Sequence, residues 1–263
     1  MKKVVYEIPE MSAVVVSRDL EYHRSESGPL TMDLYYPSGT EDVARRPAVL
    51  FVSGYPDPGF EAIVGCKFKE MEAYVSWSRL VAASGMIAVT YSNHEPVADL
   101  GRLLTHLREN AAAFGIDERR VGVWACSGNV PVALSRLVQA DDVQFAAGVL
   151  CYGPMFDPDG AAGIASAAAR MGFAYPIAGK TVDDMPRELP LMIVRAGKES
   201  MPGLNDTIDR FIGLALTRNL PLTLLNHASA PHAFDIVDNS ETTREVIRLV
   251  LGFLRFHLQE NRG

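Results

Sequence analysis

What most constrains this chain is an alternation. Short runs rich in β-branched and aromatic residues take turns with segments whose apolar residues recur at helical spacing. Residues 47–53, 86–91, 120–125, 145–152, 190–196 and 221–226 read as strands, and several are apolar throughout, as strands buried on both faces are. Residues 74–84, 95–114, 130–139 and 241–258 read as helices. In the second of these, Val97, Leu100, Leu103, Leu104 and Leu107 form a stripe, and Gly115 follows its end. Such alternation makes an α/β fold, a mostly parallel central sheet with helices on both faces. Residues 11–23 and 30–36 differ: they read as two strands joined by a Ser-Glu-Ser-Gly turn, an antiparallel edge. Between 153 and 189 the pattern loosens to Gly, Ala, Pro and Asp with a helix over 161–171, which fits either a small cap or a crossover. Nothing divides residues 1–263 into more than one domain.

The 263 residues are 48% hydrophobic and 22% charged, enough to bury a large core. No run approaches the ~18 apolar residues that cross a bilayer, and Glu7, Pro9 and Glu10 interrupt any signal-peptide pattern. A cytoplasmic protein without a membrane partner is expected. The net charge is −7 with scattered Lys and Arg, so nucleic acid is not an expected partner. Cys66, Cys126 and Cys151 have no metal-ligand spacing and suit a reducing compartment as buried thiols.

Chemistry concentrates in Val121-Gly-Val-Trp-Ala-Cys-Ser-Gly-Asn-Val130, where a strand runs into a helix with almost no loop. A nucleophile there stands on a strained turn at a helix N-terminus. The residues two before and two after it crowd each other and must be small. If Cys126 were the nucleophile, the indole of Trp124 would have to fit the crowded position. With Ser127 the flanking pair is Ala125 and Asn129, and Asn is tolerated because it visits left-handed conformations. Sterics therefore choose Ser127, although neither flank is the glycine of G-x-S-x-G.

From residue 47 to residue 258 the chain resembles the α/β-hydrolase superfamily, with similarity to its dienelactone-hydrolase-like and small serine esterase branches. Dienelactone hydrolases use a cysteine at this turn, and Cys126 lies one position off that register. The resemblance implies the order nucleophile, acid, histidine. His232, in Pro-His-Ala-Phe-Asp, resembles the catalytic-histidine loop. His227 is the rival, and a structural role suits it better. His23, His94, His106 and His257 read as surface or packing residues. Glu199 is the first carboxylate after the 190–196 strand and is the expected acid, with Asp206 as alternative. Ser53-Gly54-Tyr55-Pro56 resembles the family's oxyanion turn, so the amides of Tyr55 and Gly128 are the expected donors, with the Tyr55 ring lining the acyl pocket.

The expected activity is hydrolysis of small carboxylic esters through an acyl-enzyme, without metal or organic cofactor. A thioesterase, lactonase or peptidase would use the same residues. A non-catalytic ligand receptor on the same fold is the reading from another class.

Overall fold

In the computed structural model, which describes residues 2–39, 45–139 and 145–260, the apolar runs form one eight-stranded sheet. The strands are β1 (Val15–Ser25), β2 (Gly28–Tyr36), β3 (Arg46–Phe51), β4 (Ile87–Tyr91), β5 (Ile116–Cys126), β6 (Ala147–Cys151), β7 (Leu191–Lys198) and β8 (Leu222–Pro231). Their spatial order is β1-β2-β4-β3-β5-β6-β7-β8. β2 is antiparallel to both β1 and β4, and every pair from β4 across to β8 is parallel. The helices are α1 (Asp57–Val64), α2 (Glu72–Ala83), α3 (Pro96–Glu109), α4 (Val130–Leu137), α5 (Ile164–Met171), α6 (Leu204–Thr217), α7 (Phe234–Val237) and α8 (Glu241–Arg255).

Period-two alternation along the strands sorts the core into two layers. Leu50, Val89, Val123, Leu150 and Ile193 pack with α3, α4 and α6 through Leu103, Leu134 and Phe211. Their neighbours Val49, Ala88, Trp124, Val149 and Val194 pack with α2 and α8 through Leu80 and Leu254. Each large side chain so buried contributes about 1.5–3 kcal/mol. The sheet is therefore covered on both sides, and only the ends of its strands are left for chemistry. No helix among the described residues is long and apolar enough to cross a membrane.

Several boundaries differ from the sequence expectation, each for a local reason. Residues 9–13 form a turn of 3₁₀-helix begun by Pro9, so β1 starts at Val15 instead of residue 11. The helical stripe of 95–114 stops at Glu109, because the Asn110 side chain donates to the His106 carbonyl (2.9 Å) and caps the end. Gly115, with φ of 65°, closes the turns that follow and is not the helix cap. β8 continues past residue 226 to Pro231, its pairing with β7 interrupted by a bulge after Ala196. α1 had no counterpart in the sequence reading.

The connection from α1 to α2 is pinned by charge. Lys69 is buried, with its Nζ 2.6 Å from Oδ1 of Asp33 on β2 and 2.7 Å from Oδ1 of Asp19 on β1. The Asp33 side chain is wholly buried, whereas that of Asp19 is 70% exposed. The ammonium beside it holds the Asp19 carboxyl below the usual range. Lys69→Met would leave Asp33 without its principal counter-charge, and breaking a buried pair from one side costs about 3–5 kcal/mol. Urea unfolding should show a loss of that size. Removing both charges, with Lys69→Met and Asp33→Leu together, should recover much of it.

Candidate active site

The parallel strands end on one edge of the sheet, and the loops leaving β3, β5, β7 and β8 meet there. β5 ends at Cys126, and Ser127 follows in the left-handed region with φ of 53°. A turn of 3₁₀-helix, Ser127–Asn129, leads straight into α4. A side chain in this conformation is strained by about 1–3 kcal/mol and needs its surroundings to hold it. Two glycines make the surroundings possible. A Cβ on Gly153 would lie 2.4 Å from the Ser127 carbonyl oxygen, and one on Gly54 would lie 2.5 Å from the Gly128 carbonyl oxygen.

Asn129 locks the turn to its neighbours. Its Oδ1 accepts the Gly54 amide at 2.7 Å, and its Nδ2 donates to the Tyr74 hydroxyl at 2.8 Å. Its own backbone is right-handed (φ −85°, ψ −20°), so left-handed tolerance is not why asparagine stands here. The amide is needed as a two-ended connector.

Ser127 and Cys126 face different surroundings. Ser127 Oγ lies 2.7 Å from His232 Nε2. Cys126 Sγ lies 3.7 Å from the Tyr74 hydroxyl and 3.9 Å from Asn129 Nδ2, and its burial pushes the thiol up to about 12. Trp124 is buried against Phe51 and Trp77, while Ala125 occupies the small position. The register inferred from crowding is the one that puts a hydroxyl against the imidazole.

His232 Nδ1 donates to Glu199 Oε2 in a short hydrogen bond. This fixes the tautomer that leaves Nε2 to accept the Ser127 proton. Glu199 comes from the turn after β7. Its Oε1 accepts the amides of Ser200 and Met201, each at 2.8 Å, and its side chain is 2% exposed. Asp206 lies exposed on α6, away from this network. His227 is buried on β8, with Nε2 3.0 Å from Thr243 Oγ1 and 3.4 Å from an Asp238 carboxylate oxygen. Of the other histidines, His94 bonds Ser25 and His257 packs between Phe253 and Phe256.

Beneath His232 lies a group that sequence reading missed. The Tyr152 ring packs edge-on to the imidazole at 5.1 Å, and its hydroxyl donates to Asp235 Oδ1 at 2.6 Å. Trp77 Nε1 donates to Asp235 Oδ2 at 2.7 Å. Burial pushes the Asp235 carboxyl up, opposed by these two donors. The aspartate was visible in Pro-His-Ala-Phe-Asp. Its partners were not, because Trp77 and Tyr152 stand 158 and 83 positions away. Tyr152 and Ala233, with φ of 37° and 54°, add two more left-handed residues around the histidine.

Ser127, Gly128, Glu199 and His232 open onto a cavity of about 580 Å³. Residues of α5, inside the loosely patterned 153–189 segment, form one wall. Phe173 lines the cavity, and the Tyr55 ring packs edge-on against it. That ring stacks on Phe68 (centroids 5.5 Å, 14°) and packs against Phe60. Its hydroxyl comes so near Gly128 that a Cβ there would meet it at 2.5 Å. The Tyr55 carbonyl accepts from Asn93 Nδ2 at 3.1 Å, which fixes the turn carrying its amide. Among the described residues no group of three or more His, Cys, Asp and Glu side chains is placed to hold a metal ion.

No protein-family model matches the sequence, and a search of curated proteins finds no match. Solved structures do match. A thermophilic esterase from the Planctomycetes species Thermogutta terrifontis is 18% identical and superposes with a TM-score of 0.69 over 97% of each chain. The same esterase phosphorylated by paraoxon is 17% identical, with a TM-score of 0.67 over 94% of this chain and 95% of that one. An α/β-hydrolase enzyme from a Medee basin deep-sea metagenome library is 17% identical, with a TM-score of 0.66 over 94% and 98%. The chain has the α/β-hydrolase fold.

A thiol raised to about 12 is thiolate in only about one molecule in 10⁴ at pH 8. Iodoacetamide at that pH should therefore leave Cys126 unmodified in the folded protein and alkylate it after unfolding. Peptide mass mapping distinguishes the two.

Proposed function

We propose that this protein is a serine hydrolase that cleaves carboxylic esters of small substrates. The observation that carries the reading is the continuous relay from Ser127 Oγ through His232 to the buried Glu199 carboxylate. Ser127 attacks the acyl carbonyl while His232 Nε2 takes its proton, and Glu199 stabilises the imidazolium that forms. His232 then protonates the departing alcohol. Water repeats the attack on the acyl-enzyme, activated by the same histidine, and frees the acid. The residues invoked supply every proton transfer, and no cofactor enters a step.

The developing oxyanion is assigned to the amides of Tyr55 and Gly128. Gly128 follows the nucleophile at the start of a helical turn, where amides have no intrahelical acceptor. Tyr55 sits in the turn held to that helix by the Gly54–Asn129 hydrogen bond. α5 acts as a small cap over the acyl-binding cavity. Enclosure of the Cys126 thiol favours the serine esterase branch over the cysteine-dependent dienelactone hydrolases. The phosphorylation of the Thermogutta terrifontis esterase by paraoxon supports the choice of probe.

Paraoxon should phosphorylate the peptide spanning residues 121–130 on Ser127 and leave Ser127→Ala unmodified. A folded wild-type protein that stays unlabelled would point to a ligand receptor instead. On a short-chain ester, Ser127→Ala should abolish turnover, and Cys126→Ala should keep most of it.

Glu199→Gln removes the charge and can present its NH₂ to Nδ1, selecting the wrong tautomer. In a serine protease the corresponding change lowers kcat ~10⁴-fold, and a loss of that order is expected here. Asp206→Asn, on the exposed face of α6, should have little effect. Steady-state kinetics on variants checked by circular dichroism would reveal a misassigned acid.

A further inference from the structure

The wall of the catalytic cavity has two chemical characters. Phe173, Met201 and Leu204 make it apolar on one part. Elsewhere it carries Ser166, Arg170 and Ser200. Ser166 and Arg170 are four apart on α5 and so share a helical face. Ser200 comes from the turn that also delivers Glu199. All three residues are exposed to solvent, and among the described residues none of their side chains bonds a protein group.

Cations on this side of the protein divide into those held by a carboxylate and those, such as Lys198, that are not. Arg195, Arg210 and Arg218 each hold a carboxylate, from Asp209, Asp159 and Asp183. The carboxylate in the cavity wall, Glu199, is committed to His232 and two amides. Arg170 and Glu199 are the charged side chains of the cavity wall, and of the two Arg170 has no protein partner among the described residues. Its place in the last turn of α5 suits the helix dipole. The dipole accounts for a cation at the helix end. Two solvent-exposed hydroxyls, of Ser166 and Ser200, stand in the same cavity wall.

We propose that Ser166, Arg170 and Ser200 form an anion subsite, so that the ester cleaved at Ser127 carries a free carboxylate. The inference rests on the serine-hydrolase reading and names its substrate class. A guanidinium presents a planar fork that matches a carboxylate, and hydroxyls can donate to its remaining lone pairs. The ester group meets Ser127 while the apolar wall receives the carbon chain between the two ends.

The test compares esters that differ only in this charge. Monomethyl glutarate is paired with methyl pentanoate, placing the carboxylate on the acyl side. 4-Acetoxybutanoate is paired with butyl acetate, placing it on the alcohol side. Proton release at low salt gives kcat/KM for each with wild type, Arg170→Met and Arg170→Lys. In at least one pair the anionic ester should be preferred about tenfold, the scale of a charge-assisted hydrogen bond. Arg170→Met should erase that ratio, Arg170→Lys should keep part of it, and added salt should reduce it.

Equal turnover within both pairs, or a preference that survives Arg170→Met, overturns the subsite. So does failure to cleave either anionic ester by a protein that paraoxon labels at Ser127. If no ester is cleaved and paraoxon leaves Ser127 unlabelled, the hydrolase reading falls and the subsite falls with it.

Discussion

The site depends on one hydrogen bond between two loops, from the Gly54 amide to the side-chain carbonyl of Asn129. A backbone amide can only donate, so the Asn129 oxygen must face it, and the NH₂ must face Tyr74. The Tyr74 hydroxyl, accepting there, also meets Cys126 Sγ at 3.7 Å. Direction is thus fixed from the Gly54 amide as far as the Tyr74 oxygen. A rigid connector is required because Ser127 holds a conformation that an unconstrained serine would leave. Aspartate would put a charge into this buried position, and leucine would leave the Gly54 amide unsatisfied at about 1–3 kcal/mol.

The histidine is held by similar logic with different materials. Glu199 fixes the ring from one side, and two backbone amides fix Glu199. Tyr152 supports the ring edge-on and is itself held by Asp235, which Trp77 anchors to α2. Trp77 also packs on Trp124, and Trp124 on Phe51. The aromatic layer beneath the sheet edge therefore supports both the strand before the elbow and the loop bearing the histidine. A core substitution in α2 reaches the imidazole through two hydrogen bonds and one ring contact.

Much of this was legible in the chain. Alternating periodicities identify the mixed sheet, because burial on both faces leaves strands no polar side to show. The crowding of Trp124 selects Ser127 over Cys126, an argument that needs only side-chain size. Chain order and the Pro-His-Ala-Phe-Asp segment point to His232, and the end of a strand points to Glu199. What stayed hidden was the set of contacts between residues far apart in sequence. The roles of Asn129, Tyr152 and Asp235 depend on partners that local pattern cannot supply. The surroundings of the Tyr55 ring stayed hidden for a related reason. Phe60, Phe68 and Phe173 come from three separate segments, and their rings hold the Tyr55 ring with its hydroxyl beside Gly128. Boundaries slipped where a side chain added its own bond to a backbone carbonyl, as Asn110 does at the end of α3.

The neighbouring thiol and hydroxyl have a bearing on descent. Cys126 lies within hydrogen-bonding reach of Tyr74, and Ser127 within reach of the imidazole, because consecutive residues at a strand end project to opposite sides. A lineage of this protein drifting toward thiol chemistry would gain nothing from the sulfur it already has. It would have to change codon 127 itself. The inherited cysteine would remain a spectator, buried beside a nucleophile it cannot replace.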